Sequence, residues 1–116
     1  LHVAIIFHLY IDLFKYFDII RSTMNDTQTI DVLKALADET RLSLVRKLAA
    51  QDAPIASCDL VSSCASLMKL SQPAMSHHFT KLVDAGVLRE QKHGTAKQYA
   101  LNHELLAGVG IDISKL

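Results

Sequence analysis

The stretch LSQPAMSHHFTKLVDAGVL, residues 70–88, gathers side chains whose spacing suits a definite chemistry. At helical spacing Met75, Phe79, Leu82 and Val83 stand at i, i+4, i+7 and i+8 and form one apolar stripe. The opposite side carries Gln72, Ser76, His77, Thr80, Lys81 and Asp84. An amide, hydroxyls, an imidazole and an ammonium thus lie near a helix N-terminus, whose free N–H groups favour a phosphate oxygen. Such groups donate to phosphates and reach base edges in a major groove. His77 alone would read as an ordinary surface residue, but the pattern around it makes it a contact candidate. His78 falls on the apolar side, and the expectation for it is a structural histidine bonded to a backbone carbonyl. Further on, Lys92, His93 and Lys97 surround a glycine and are placed to follow a nucleic-acid backbone into an adjacent minor groove. A solvated hairpin is the competing reading for Lys92 and Lys97.

Charge agrees with this placement only locally. The chain has 116 residues and zero formal net charge, so composition alone names no polyanionic partner. Between residues 69 and 97, however, Lys69, Lys81, Arg89, Lys92 and Lys97 face only Asp84 and Glu90. One edge of a neutral protein is therefore positive.

These residues need elements to hold them. Ile30, Leu33, Leu36 and Ala37 mark one face of a short helix, and Asp38 caps a second helix through TRLSLVRKLAAQ, with Leu42, Val45 and Leu48/Ala49 as its buried stripe. AAQDAPIAS, with Pro54, reads as a loop. A third helix covers Cys58 to Met68. Ser71 caps the fourth, Pro73 sits in its first turn, and Gly86 ends it where a left-handed backbone is wanted. In VLREQKHGTAKQYAL two extended runs flank HGTA, and Gly94 supplies a hairpin turn. A last helix spans Leu101 to Val109. Helix, helix, helix, turn, helix, hairpin, helix is the layout of a winged helix-turn-helix: mainly α with a small β-hairpin wing, the reading helix at 71–85 and the wing at 87–101.

The first 23 residues differ from the rest. They hold Phe7, Tyr10, Phe14, Tyr16 and Phe17, five of the chain's seven aromatic residues, so the domain is divided as 1–23 and 24–116. The uncharged run 1–11 is too short to span a bilayer, and the start lacks the features of a signal peptide. His8, Asp12, Lys15, Asp18 and Ser22 recur at intervals of three and four, a narrow polar stripe on an apolar helix. Met24, followed by NDTQTIDVLKAL, reads as a natural start. Residues 1–23 are then either a dimerisation or membrane-surface helix or sequence upstream of the native protein.

Two cysteines, Cys58 and Cys64, make no disulfide framework and have neither a C-x-x-C nor a zinc-finger spacing; a reducing cytosol fits. No cofactor is expected. A thiol nucleophile with a histidine base is the enzyme alternative, but no glycine-rich phosphate loop or acid pair accompanies it.

Two passages, LKALADETRLSLVRKL at 33–48 and LSQPAMSHHFTKLVDAGVLREQKHGTAKQYAL at 70–101, resemble the ArsR/SmtB family of winged-helix transcriptional regulators. The likeness covers about residues 28–109. It implies a homodimer that binds a palindromic double-stranded DNA operator and represses transcription, often released by a metal or another small effector. Carried onto this chain, the contacting positions are Ser71, Gln72, Ala74, Ser76, His77 and Lys81, with Lys92, His93 and Lys97 on the wing. Arsenic-sensing members are similar in a Cys-x-Cys-Asp-Leu pattern, but ASCDL puts Ala56 where the first thiol would stand, leaving Cys58. The stretch from CDL to SQP is also longer than the family's, and Cys64 falls on a position normally aliphatic. On an unbroken helix Cys58 and Cys64 lie about 120° apart and roughly 9 Å along the axis, too far to share an ion or a disulfide. His103, Glu104 and Asp112 lie near the last helix, where other members hold a metal, without a matching ligand set. No metal site is assigned, and a surface role is expected for all three.

Two other functions stay open: a winged-helix protein-interaction module that does not touch DNA, and a thiol-based redox or soft-metal sensor using Cys58. A dimer is expected to use Ile30 and Leu33 at one end and Leu105, Leu106 and Val109 at the other, because these apolar faces look uncovered in a single domain.

Overall fold

Helix boundaries in this chain follow its capping residues. The computed structural model describes residues 2–23, 26–51 and 53–116, and the side chains of all of these but 17, 19–23, 65 and 66. Met24 and Asn25 at the expected domain boundary, and Asp52 of the expected loop, lie outside the described residues, as do the side chains of Phe17 and Ser22.

The elements run α1 (His2–Thr23), α2 (Asp26–Leu36), α3 (Glu39–Ala49), β1 (Ile55–Ala56), α4 (Ser57–Ser63), α5 (Ala65–Met68), α6 (Gln72–Asp84), β2 (Leu88–His93), β3 (Ala96–Leu101) and α7 (His103–Gly108), then a 3-10 turn (Ile113–Lys115). Asp38 caps α3 by accepting from the Arg41 N–H, and Ser71 caps α6 by accepting from the Ala74 N–H. At the other end of α6, Gly86 N–H reaches Val83 O at 2.9 Å and Val87 N–H reaches Leu82 O at 3.0 Å, the double bond pattern of a Schellman ending. Gly86 supplies the φ of +83° this ending requires. β2 and β3 pair antiparallel from Leu88↔Leu101 to His93↔Ala96, with Gly94, φ +64°, leading the two-residue turn. The winged helix-turn-helix architecture is therefore present: mainly α, with a three-stranded sheet ordered β1-β3-β2.

One apolar core joins all these layers. Val32 and Ala35 from α2, Leu44, Val45 and Leu48 from α3, Leu60, Cys64 and Leu67, Phe79 and Leu82 from α6, Val87, Leu88, Tyr99 and Leu101 from the wing, and Leu105 and Leu106 from α7 are all buried. Burying one such large side chain is worth about 1.5–3 kcal/mol, so the apolar backs of α3 and α6 account for a large part of the fold.

α1 stands apart from that core. Its Ile6, Phe7, Tyr10 and Phe14 are each at least 60% exposed, and it meets the rest at α7. The radius of gyration, 17.2 Å, exceeds the roughly 13 Å expected of a compact chain of this length, as a projecting helix requires. Among the described residues no helix is long and apolar enough to cross a membrane.

Several expectations are corrected. α2 turns Val32 and Ala35 inward, a face its own apolar spacing does not pick out and that α3 and α6 select, while Ile30 and Leu33 lie outward and uncovered as expected. In α3 Leu44 is fully buried and Leu42 only half-buried. The expected loop ends in β1, which pairs Ile55↔Tyr99 and Ala56↔Gln98, too short to leave an alternation in sequence; Pro54 precedes it and withholds no ladder N–H. The expected third helix breaks at Cys64, whose backbone is extended. The Ser62 and Ser63 hydroxyls donate back to the Asp59 and Leu60 carbonyls there, competing with helical continuation. Leu105 and Leu106 are core residues, so they cannot form the outer face expected of them.

A Cβ at Gly86 would come within 2.8 Å of Leu105 Cδ1, while one at Gly94 would meet nothing. The left-handed backbone alone costs a non-glycine residue about 1–2 kcal/mol. Gly86→Ala is therefore expected to destabilise clearly more than Gly94→Ala, as read from the midpoints of urea unfolding curves.

Candidate nucleic-acid interface

α6 is held by its back and presents its front. Phe79 and Leu82 are buried, Met75 and Val83 pack beside them, and Phe79 stacks on Tyr99 of β3 with ring centroids 4.5 Å apart and planes 12° from parallel. Burial, and secondarily the Glu90 carboxylate, raises the Tyr99 phenol above its ordinary pKa, so the ring stays neutral. Gln72, Ser76, His77, Thr80, Lys81 and Asp84 are all exposed on the front, as their spacing predicts. Ala74 is half-buried, and the exposed Ser71 uses its hydroxyl in the cap.

On the wing Lys92, His93 and Lys97 are exposed. Lys92 lies directly opposite Lys97, a like-charge pairing that costs stability unless an anion comes near. Lys97 is shared with Glu90, at 3.2 Å, and Arg89 is held by Asn102 at 3.1 Å and Glu104 at 3.8 Å. The positive edge therefore rests on Lys69, Lys81 and Lys92 more than on the full set of five cations.

The sequence missed one cluster. His78 Nδ1 lies 3.4 Å from Arg41 Nη1 and 3.7 Å from Asp38 Oδ1, not on a backbone carbonyl as expected. Arg41 also donates from Nε to Ala35 O and from Nη2 to Lys34 O, the last carbonyls of α2. The Arg41 N–H that Asp38 accepts holds its carboxyl below the usual range, helped by the Arg41 and His78 charges and opposed by partial burial. Asp38 is legible as a cap; its partner 40 residues on is not, because no local spacing encodes a contact between separate helices.

The thiols do not assemble a site. Cys58 is exposed, Cys64 is buried in the core, and the helix breaks at Cys64, so the unbroken-helix geometry does not hold even though the two side chains face different surroundings. Glu104 is engaged by Arg89, and Asp112 caps the final turn through Ser114. Among the described residues no three histidine, cysteine or acidic side chains come together.

A helix-turn-helix domain family model matches residues 36–91, from the end of α2 into β2. The arsenical resistance operon repressor of Staphylococcus xylosus is 36% identical over 75 residues, 65% of this chain and 66% of that protein. The repressor of the same description from Bacillus subtilis is 33% identical over 76 residues, 66% of this chain and 68% of its own length. The chain belongs to the ArsR/SmtB family. Among solved structures HlyU from Vibrio cholerae superposes with a TM-score of 0.58 at 28% identity, covering 74% of this chain and 90% of that one. The ArsR/SmtB family is one of transcriptional regulators, not enzymes, which removes the thiol-nucleophile reading. The chain spans just under two thirds of the staphylococcal relative's length.

A depressed carboxyl pKa gives stability that is present above the unfolded-state value, near 3.9, and is lost as pH falls through the folded value. Asp38→Asn keeps a capping oxygen but cannot titrate. The stability advantage of the native chain over Asp38→Asn is expected to shrink as pH falls below about 4, in urea titrations across pH.

Proposed function

We propose that this chain is a dimeric, sequence-specific DNA-binding repressor of the cytosol that reads a palindromic operator through α6 and its wing. The observation that carries the reading is the front of α6: Gln72, Ser76, His77, Thr80 and Lys81 exposed on one side of a helix whose other side is locked by Phe79 and Leu82. Ser76 and His77 reach base edges, Lys81 neutralises a phosphate, and Lys92 and His93 follow the backbone beside them. The named relatives are repressors of arsenical resistance operons, and their activity supports this reading.

Ile30 and Leu33, about half exposed on α2, are the proposed dimer contacts, now without Leu105 and Leu106. A twofold axis would set two α6 helices about one DNA turn apart. Residues 24–116 form the reading domain, and α1 is a separate attachment. The effector is unassigned: with Ala56 in place of a thiol, an arsenic-type trio is not proposed, and Cys58 stays the sole exposed thiol for a redox signal. Pairing of Arg89 and Lys97 with acids, together with zero net charge, favours one rival, a winged-helix protein-interaction module.

Fluorescence anisotropy across a salt series separates these readings. Lys81→Ala is expected to weaken binding to every duplex and reduce the salt slope by about one, whereas His77→Ala blurs preference among duplexes as well. Unchanged affinity and slope for both variants would remove α6 from the interface, and no salt-sensitive complex at micromolar protein would favour the interaction module. Ile30→Glu with Leu33→Glu should convert the dimer to monomer in sedimentation; a dimer that persists would move the interface elsewhere.

A further inference from the structure

The interior of this domain is apolar, with no polar or charged side chain among the fully buried described residues. Among the described residues Asp38, Arg41 and His78 form a partly buried polar cluster, with side-chain exposures of 33%, 13% and 16%. A single guanidinium there touches three helices: the Ala35 and Lys34 carbonyls of α2, the capping carboxylate of α3, and the imidazole of α6. Its rigid fork of donors makes such a junction directional.

His78 occupies a telling place on α6. Successive residues are 100° apart around a helix, so His78 and Phe79 flank the Met75/Leu82 stripe, one on each side. Phe79 is stopped by Tyr99 of the wing, and His78 by Arg41 and Asp38 of α3. The stripe between them is aliphatic and its attraction non-directional, so it resists withdrawal of the helix more than rotation. Rotation matters at the front: turning α6 by about 20° would sweep a side-chain tip some 6 Å from the axis through roughly 2 Å. That displacement exceeds the working range of a hydrogen bond to a base edge.

Building on the DNA-reading function above, we propose that His78 is a positioning residue: pinned by Arg41 and Asp38, it sets the rotation of α6 and thereby sequence discrimination, without touching DNA. Arg41, by holding the end of α2 in the same fork, fixes the stop itself to the two helices behind. Phosphate contacts by Lys81 and Lys92 tolerate a small rotation because their stems are long and the attraction falls slowly with distance. Base-edge contacts by Ser76 and His77 do not.

The test uses the full chain and two duplexes: one selected by the native protein from a randomised pool, and a scramble of it. His78→Ala is expected to reduce the preference for the selected duplex about tenfold, the cost of one lost base contact, while affinity for the scramble and its salt slope stay within twofold. His78→Asn is expected to restore the preference, because Asn Oδ1 stands where Nδ1 did and accepts from Arg41. Thermal melts confirm that every variant is folded at the assay temperature. Full discrimination in His78→Ala, or losses in both variants that only follow their melting temperatures, would overturn the positioning role. A native chain that forms no salt-sensitive complex would instead overturn the DNA reading, and the proposal with it.

Discussion

The contact between the rings of Phe79 and Tyr99 is the constraint on which the proposed interface depends. It joins the back of α6 to the central strand of the sheet, so the helix is packed directly onto the wing. An offset or flat aromatic pair adds about 0.5–1.5 kcal/mol beyond the area it buries. The more important effect is geometric, because the same strand pairs with β1 on one side and β2 on the other. A helix that would otherwise float on aliphatic side chains is thereby referenced to the hairpin bearing Lys92 and His93. Glu90 lies opposite Tyr99 across β2 and β3, and its carboxylate partners Lys97 while adding to the effect of burial in raising the phenol's pKa. Packing behind the interface and charge on its surface are thus linked through one residue pair.

Much of this was legible in the sequence because it is local. Asp38, Ser71 and Gly86 mark helix ends through bonds made within a few residues, and all three act as their types predict. The stripe of Met75, Phe79 and Leu82 is a period, and a period is a local property as well. Where the sequence misled, the deciding contact was distant. α2 has apolar residues on more than one side, and it is the packing of α3 and α6 that brings Val32 and Ala35 inward, which no spacing within α2 announces. β1 is two residues long and exists because Tyr99 and Gln98 offer it an edge. His78 lies on the side of α6 that its spacing predicts, but its partner is Arg41, 37 residues away, and not a backbone carbonyl.

The helix break at Cys64 shows the same rule at smaller scale. Two serines in succession offer their hydroxyls to carbonyls three residues back, and the backbone leaves the helix at the next residue. That break closes a buried cysteine into the core beside Leu60 and Leu67 while Cys58 stays in solvent. In this family member the segment between CDL and SQP serves as packing first. Two residues before Cys58, Ala56 carries no thiol and instead pairs with Gln98 in the sheet.

The wing explains how a chain of zero net charge can still favour a polyanion. Lys92 and Lys97 face each other across two strands, and the repulsion between them is only half answered, because Glu90 sits with Lys97 and leaves Lys92 in solvent. A phosphate near Lys92 would remove an unfavourable interaction as well as add a favourable one, so its effect exceeds that of an isolated lysine on a neutral surface. Arg89, tied to Asn102 and Glu104, adds little to the outer field and instead anchors the base of the wing to the start of α7. Screening acts over about 8 Å at physiological ionic strength, shorter than the span of the domain, so a partner at the front of α6 feels Lys81 and Asp84 there and Lys69 just before the helix more than the acids on distant parts of the chain. Net charge is the wrong quantity for such a protein; the sign within one screening length of α6 is the right one.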